Sequence, residues 1–288
     1  GVAWYVNHGH FGAYWQATVI SNFHKGRAIP EVFAHTVRFL LLLSLPLTAS
    51  ALLGQIRMRQ EQGSTPFARL LRLWLLAALI GFLAVPNFYS HYALALVPVL
   101  AVAAAPWFAH GLVGRGVAIL SILWALHYGQ TFDFGKAGQS AQRFDRVTQV
   151  VRANMPHGTL YIHDGPPWIY HTASAKLPGR FVFPEHLSMA TEAGAIGVDP
   201  VSELARILAG KPDVIVLTDT VKPDYNRATF ALLQKEVERH YTPVCTLPGK
   251  DFEHEFTFHV LSRSPNPDRS ACPAGSLGSK VLPKPWPA

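Results

Sequence analysis

Long apolar runs dominate the first half of the chain. Four of them occupy residues 37–56, 70–88, 92–109 and 112–128. A helix needs roughly 20 predominantly apolar residues to cross a bilayer, and a buried helix of a soluble protein seldom runs this long without a charged face. The pattern therefore predicts about four transmembrane helices between residues 36 and 130.

In the second half of the chain, apolar residues recur at the short spacings of amphipathic helices and buried strands. Phe144, Val147 and Val151 fall on one helical face, and residues 213–217 form a continuous apolar run typical of a buried strand. Further strands are predicted at residues 159–163, 242–247 and 256–261, with helices near residues 200–210 and 230–241. Strands that alternate with helices indicate a largely parallel sheet. We therefore predict a small soluble α/β domain over residues 137–263.

The two ends of the chain have their own patterns. Residues 1–35 mix aromatic and polar side chains, which favours an outer segment at the membrane–water interface over a spanning helix. His8 and His10 lie in this segment without a third ligand, so we expect no metal site there. Residues 264–288 are rich in Pro and Ser, and this composition predicts a disordered tail.

The two cysteines, Cys245 and Cys272, form no metal-binding or redox motif. A disulfide between them would require an oxidising compartment. Because Cys272 falls in the predicted disordered tail, two unpaired thiols are the favoured expectation and the disulfide is the alternative.

Composition agrees with a membrane protein. Hydrophobic residues make up 49% of the 288 residues and charged residues 15%, whereas soluble domains carry about 25% charged residues. Arginines beside the apolar runs explain the net charge of +7. The sequence has no basic stripe interleaved with aromatic residues, so we expect no nucleic-acid partner.

Charges in the loops predict an orientation. Several arginines flank the connection between the first two apolar runs: Arg57, Arg59, Arg69 and Arg72. The positive-inside rule places this connection in the cytoplasm, which puts His91 and the soluble domain outside. Lys25, Arg27 and Arg38 on the outer flank oppose this assignment.

The soluble half contains residues that suggest catalysis but none of the motifs that normally accompany them. His163 and Asp164 follow a predicted strand, but no Gly-x-Ser-x-Gly or Gly-x-Gly-x-x-Gly motif accompanies them. Polar residues at a strand end beside a Gly-Pro-Pro turn are more often structural than catalytic. Glu253-His254-Glu255 lacks the second histidine of a zinc-binding helix, so a metalloprotease is not expected.

One stretch carries a resemblance to a known family. Residues 88–101 combine aromatic residues, a His-Tyr pair, an apolar run and a proline. This combination resembles a segment of the bacterial membrane glycosyltransferases of the GT-C class, the relatives of protein mannosyltransferases and of the aminoarabinose transferase. Four shorter segments are similar too: residues 22–24, 160–170, 180–184 and 211–216. Together they extend the resemblance over residues 1–263.

The resemblance implies an integral protein of the bacterial cytoplasmic membrane whose C-terminal domain is extracytoplasmic. Such an enzyme takes a sugar from a polyprenyl-phosphate donor and transfers it, with inversion, to an envelope glycan, lipid or protein. A divalent metal is a conceivable cofactor. In this class the catalytic carboxylate lies in the first extracytoplasmic loop, so we expect it upstream of Gly1 and do not expect this chain to catalyse transfer alone.

The resemblance also implies candidate site residues. His91 and Tyr92, with Tyr89, would contact the lipid phosphate or the sugar, because imidazole and phenol groups donate hydrogen bonds to phosphate oxygens. The alternative is an aromatic belt at the interface with an incidental histidine. Tyr170 and Arg180 would shape an acceptor surface.

Two other functions remain open. The first is a non-enzymatic, membrane-anchored module whose soluble domain binds a partner or assists assembly. The second is a transporter fragment, which is disfavoured because no charged residue lies centrally in the first three runs and only Arg115 enters the fourth.

Overall fold

The structure is a computed structural model that describes residues 2–26, 30–62, 65–85, 88, 90–129, 131–219, 224–250 and 255–276. The chain divides into two compact units. One comprises residues 27–134, and the other combines residues 1–26 with residues 135–288.

The N-terminal segment consists of short helices. They are α1 (Val2–Asn7), α2 (Phe11–Trp15), a π-helix (Gln16–Ile20) and α3 (Ser21–His24). Its aromatic side chains are largely exposed: Trp4, Phe11, Trp15 and Phe23. The predicted position of this segment at a membrane interface stays a prediction.

Helices make up the unit of residues 27–134. They are α4 (Pro30–Gln62), α5 (Pro66–Leu83), a 3₁₀-helix (Ser90–Ala95), α6 (Leu96–Phe108) and α7 (Gly111–Tyr128). The Thr65 hydroxyl accepts a hydrogen bond from the Ala68 amide at 3.2 Å, and Pro66 occupies the first turn, so both residues define where α5 begins.

Three helices within the described residues are long and apolar enough to span a membrane: Pro66–Leu83, His91–Phe108 and Gly111–Tyr128. They coincide with three of the four predicted spans. The remaining predicted span, residues 37–56, falls inside α4, where the side chains of residues 39–44 lie outside the described part of the chain. Outward-facing leucines such as Leu112, which is 84% exposed, give these helices apolar outer surfaces suited to lipid.

Small residues line the contact between the helices. Ala51, Ala103 and Ala104 are buried, and a Cβ added at Gly54 would fall on the carbonyl oxygen of Ala103. Helices in membranes commonly approach closely through such residues, because packing replaces the hydrophobic effect as the source of association. The backbones of α4 and α6 therefore pack tightly at Gly54.

The part of the chain from residue 134 onward, called the α/β unit below, contains six helices and four strands in its described residues. In chain order they are α8 (Phe134–Ala153), β1 (Leu160–Ile162), α9 (Ile169–Thr172), α10 (Glu185–Ser188), a 3₁₀-helix (Ala190–Ile196), α11 (Pro200–Ala209), β2 (Val214–Thr218), α12 (Arg227–His240), β3 (Thr242–Lys250) and β4 (Glu255–Ser262).

The sheet is mixed, with strand order β1-β2-β4-β3. β1 and β2 are parallel, whereas β4 is antiparallel to both β2 and β3. The expectation of a largely parallel sheet is therefore wrong for its second half. β3 and β4 are separated by only four residues, too few for the crossover that parallel neighbours need.

Side chains alternate between the two faces of the sheet and form two cores. Leu160, Val216 and Phe258 pack against α8 and α9 on one face. Tyr161, Ile215 and Leu261 pack against α11 and α12 on the other. The continuous burial of β2 follows from being covered on both faces.

Residues 264–276, which follow β4, are ordered, so the predicted disorder is wrong for them. The Asn154 side chain donates to the Asp268 carbonyl at 2.8 Å and accepts from the Asp268 amide at 2.9 Å. Arg269 donates to the carbonyls of Pro243 and Val244, and the Thr246 amide donates to the Ser276 carbonyl at 2.8 Å. Residues 277–288 lie outside the described part.

The expectation of unpaired thiols is also wrong. Cys245 of β3 and Cys272 form a disulfide, with their Cα atoms 6.0 Å apart. The expectation failed because it rested on disorder of the tail, whereas the contacts of Asn154 and Arg269 hold residues 264–276 beside β3.

Candidate functional site

An aromatic cluster that includes Phe88, His91 and Tyr92 precedes α6, and we call it the mouth. The Phe88 ring makes edge-to-face contacts with Phe33, at 5.4 Å between centroids, and with Phe82, at 5.9 Å. The Thr36 hydroxyl donates to the Phe88 carbonyl at 2.6 Å. Because residues of both α4 and α5 hold Phe88, the backbone that leads to His91 has a fixed starting point.

His91 and Tyr92 lie in the 3₁₀-turn after this anchor. Their rings are 4.5 Å apart between centroids, and the His91 side chain is exposed whereas Tyr92 is half-buried. An exposed imidazole beside a phenol offers hydrogen-bond donors and acceptors to a phosphate or a sugar hydroxyl. Tyr89, predicted to join them, lies outside the described residues.

The two residues of the predicted acceptor surface do not lie together. Tyr170 is 5% exposed, belongs to the core beneath α8, and its hydroxyl accepts a hydrogen bond from the Ile162 amide at 2.9 Å. Burial raises the pKa of this phenol. Arg180 is exposed and lies over the Phe181 ring, which packs on the opposite face of the sheet. Tyr170 therefore stabilises the core, and of the two only Arg180 is exposed; its contact with an acceptor stays a prediction.

His163 and Asp164 are buried at the carboxyl end of β1. The Tyr161 hydroxyl and the His163 Nδ1 are 2.9 Å apart, and the Thr218 hydroxyl donates to Asp164 at 2.6 Å. Both residues are at most 3% exposed. This burial favours the structural interpretation, in which the pair connects the ends of β1 and β2.

Ionic contacts attach the N-terminal segment to the α/β unit. The Lys25 ammonium lies 3.3 Å from Glu192, and His186 lies 3.7 Å from the same carboxylate. The Gly26 amide donates to the Thr191 carbonyl at 2.6 Å. Burial lowers the pKa of His186; Glu192 opposes this shift and Lys25 adds to it.

A polar groove that the sequence did not reveal lies between α8 and the end of α9. It has a volume of about 450 Å³ and is lined by Asp145, Thr148, Gln149, Arg152, His171, Thr172 and Ser174. The i, i+4, i+7 spacing of Asp145, Gln149 and Arg152 along α8 was available in the sequence. The contribution of α9 was not, because it depends on how the two helices pack.

No group of three or more His, Cys, Asp or Glu side chains that could hold a metal ion occurs in the described ranges. His254, considered above with its neighbouring glutamates, lies outside these ranges.

Comparison with known proteins finds no relative of this chain: no family model matches it, and neither do the curated proteins or the solved structures.

Proposed function

We propose that this chain is part of a membrane glycosyltransferase that takes its sugar from a polyprenyl-phosphate donor at the outer face of a bacterial cytoplasmic membrane. The observation that carries the proposal is the exposed His91 imidazole at the start of the membrane-length segment His91–Phe108. A group at the end of such a segment meets the depth of lipid headgroups, where a polyprenyl phosphate presents its charge.

The surroundings of His91 suit that role. The Tyr92 ring lies against the imidazole, and the Thr36–Phe88 hydrogen bond fixes the preceding backbone. A hydrogen-bond donor that is already held in position loses less conformational entropy on binding a phosphate oxygen than a mobile one does. His91 would hold the donor phosphate, and Tyr92 would limit the orientations of the ring.

The second candidate is a non-enzymatic membrane module whose α/β unit binds a partner. The burial of His163 and Asp164 favours it, because the most suggestive polar pair of the α/β unit serves the fold. Only the first candidate predicts sugar transfer, and it predicts that this transfer depends on His91.

Sugar transfer from radiolabelled polyprenyl-phosphate donors, in membranes of cells that express the natural gene, tests the proposal. The His91→Ala variant should transfer sugar about 10-fold or more slowly, as expected for losing one hydrogen bond to a charged group. His110→Ala is the matched control, because His110 is also exposed and precedes α7, beyond the far end of α6. Its transfer rate should stay within about twofold of wild type, since one exposed contact contributes little.

Transfer that persists in His91→Ala would remove this residue from the site. No transfer from any donor, despite stable insertion of the wild type, would favour the non-enzymatic module.

A further inference from the structure

The groove between α8 and α9 is lined by residues with polar side chains, whose carbon atoms contribute most of the lining surface. Asp145 and Gln149 are exposed on α8, and Ser174 is exposed after α9. Each of the described residues that line it carries a hydroxyl, amide, carboxylate, imidazole or guanidinium group, so the groove offers hydrogen-bond donors and acceptors beside this carbon surface. The ligand class that fits is one rich in hydroxyl or amide groups.

Contacts within the wall hold the groove in shape. Arg152 donates from its guanidinium to the Thr172 carbonyl, which connects α8 to α9. The Thr148 and Thr172 hydroxyls are 2.9 Å apart beneath the surface. Because these contacts join the two helices, the exposed groups of Asp145 and Gln149 have a defined spacing to His171.

The charge of the groove argues against an anionic ligand. The Asp145 carboxylate and the Arg152 guanidinium balance each other formally, and Arg152 is already engaged with Thr172. A phosphate or nucleotide would meet a carboxylate without a free cluster of cations. Carboxylate, amide, imidazole and hydroxyl groups together both donate and accept, as neutral sugar hydroxyls require.

An aromatic side chain is available beside the polar wall. Trp168 is 39% exposed and is held by an edge-to-face contact with Phe144 at 4.4 Å between centroids. Trp168 directly precedes α9, four residues before Thr172, and Phe144 lies four residues before Thr148 on α8. The Phe144–Trp168 contact is therefore about one helical turn from the Thr148–Thr172 contact at the groove. An exposed indole offers a flat apolar surface on which the C–H face of a sugar ring can lie.

We propose that this groove binds a neutral oligosaccharide, with Asp145 and Gln149 accepting and donating hydrogen bonds to its hydroxyls and Trp168 covering one ring face. Under the proposed function, on which this identification of the ligand's role rests, the oligosaccharide is the acceptor glycan. The proposal deepens that function by naming the acceptor class and a binding site distinct from the mouth at His91.

The test measures binding directly, without donor and without transfer. Saturation-transfer NMR on the purified full chain in phospholipid nanodiscs would use chitotetraose, cellotetraose, maltotetraose and mannotetraose as neutral probes. A sulfated heparin tetrasaccharide would serve as the charged comparison. The wild type should bind at least one neutral probe in preference to the sulfated one.

The pocket variant Asp145→Ala/Gln149→Ala should bind that probe about 10-fold more weakly, as expected for losing two hydrogen bonds of ordinary strength. The matched control is Gln234→Ala/Glu238→Ala, which also removes one amide and one carboxylate four residues apart on a helix, α12. Its affinity should stay within about twofold of wild type, because exposed substitutions away from a site have small effects. Trp168→Ala should weaken binding, and Trp168→Phe should restore part of it.

Three results would overturn the proposal: no neutral probe binds, the pocket variant binds as tightly as wild type, or only the sulfated probe binds. Because the binding measurement uses no sugar donor, a negative result for His91 does not change its interpretation. If the wild type binds no neutral probe while sugar transfer is intact and depends on His91, the groove is rejected as a glycan site and the proposed function is kept.

Discussion

Removal of the Cys245–Cys272 disulfide should loosen the α/β unit by a calculable amount. The two cysteines are 27 residues apart in sequence, and closing a loop of this length lowers the entropy of the unfolded chain by the equivalent of about 3.5 kcal/mol. The bridge also joins β3 to the segment of residues 264–276. We therefore expect Cys245→Ala/Cys272→Ala to lose stability throughout the sheet.

Hydrogen exchange read by mass spectrometry would measure this loss in the full chain. Amides of β2 and β4, such as Val216 and Val260, lie in the centre of the sheet and exchange through the largest openings. A loss of about 3.5 kcal/mol corresponds to exchange that is faster by a factor of about 300.

A reducing agent supplies the control for this experiment. Reduced wild type should exchange like the double variant, and the double variant should not respond to reductant. An increase of less than about threefold in the double variant would refute the reasoning. It would mean that the contacts of Asn154 and Arg269 hold the segment without the covalent bond.

Two further predictions concern packing and pH. Gly54→Leu should disrupt the approach of α4 to Ala103 and lower the yield of folded protein in detergent, whereas Gly81→Leu, where an added Cβ meets nothing within 4 Å, should leave the yield unchanged. Burial raises the pKa of Asp213, but hydrogen bonds from the His157 imidazole and from two backbone amides outweigh it, so the net pKa is lowered. Stability from this group is present above the unfolded pKa of about 3.9 and is lost as pH falls through the lower folded pKa. Asp213→Asn should remove this pH dependence and cost roughly 1–3 kcal/mol at neutral pH, as measured by hydrogen exchange; an unchanged profile would contradict the assignment.

The sequence located elements whose signals are local. The apolar runs at residues 70–88 and 112–128 overlap α5 and α7, because membrane-length hydrophobicity is a property of consecutive residues. The strand predicted at residues 213–217 differs from β2, Val214–Thr218, by one residue at each end. A buried strand between turn-forming residues carries the same kind of local signal.

The sequence failed where distant residues decide the structure. Order in the segment of residues 264–276 depends on Asn154, which lies 114 positions from Asp268. The burial of Tyr170 depends on the Ile162 amide and on the core beneath α8, neither of which its neighbours in sequence reveal. At the mouth, the His91-Tyr92 pair was evident, whereas the hydrogen bond from Thr36 that anchors it spans 52 positions.

The segment of residues 264–276 also covers part of the outer edge of β3. β3 is an outer strand of the sheet, and an uncovered outer strand offers unpaired amides and carbonyls to the strands of other molecules. Arg269 occupies the carbonyls of Pro243 and Val244, and Ser276 occupies the amide of Thr246. Truncation before Ser264 would therefore turn β3 into a template for intermolecular β-pairing, and aggregates of the truncated chain would carry β3 at their contacts.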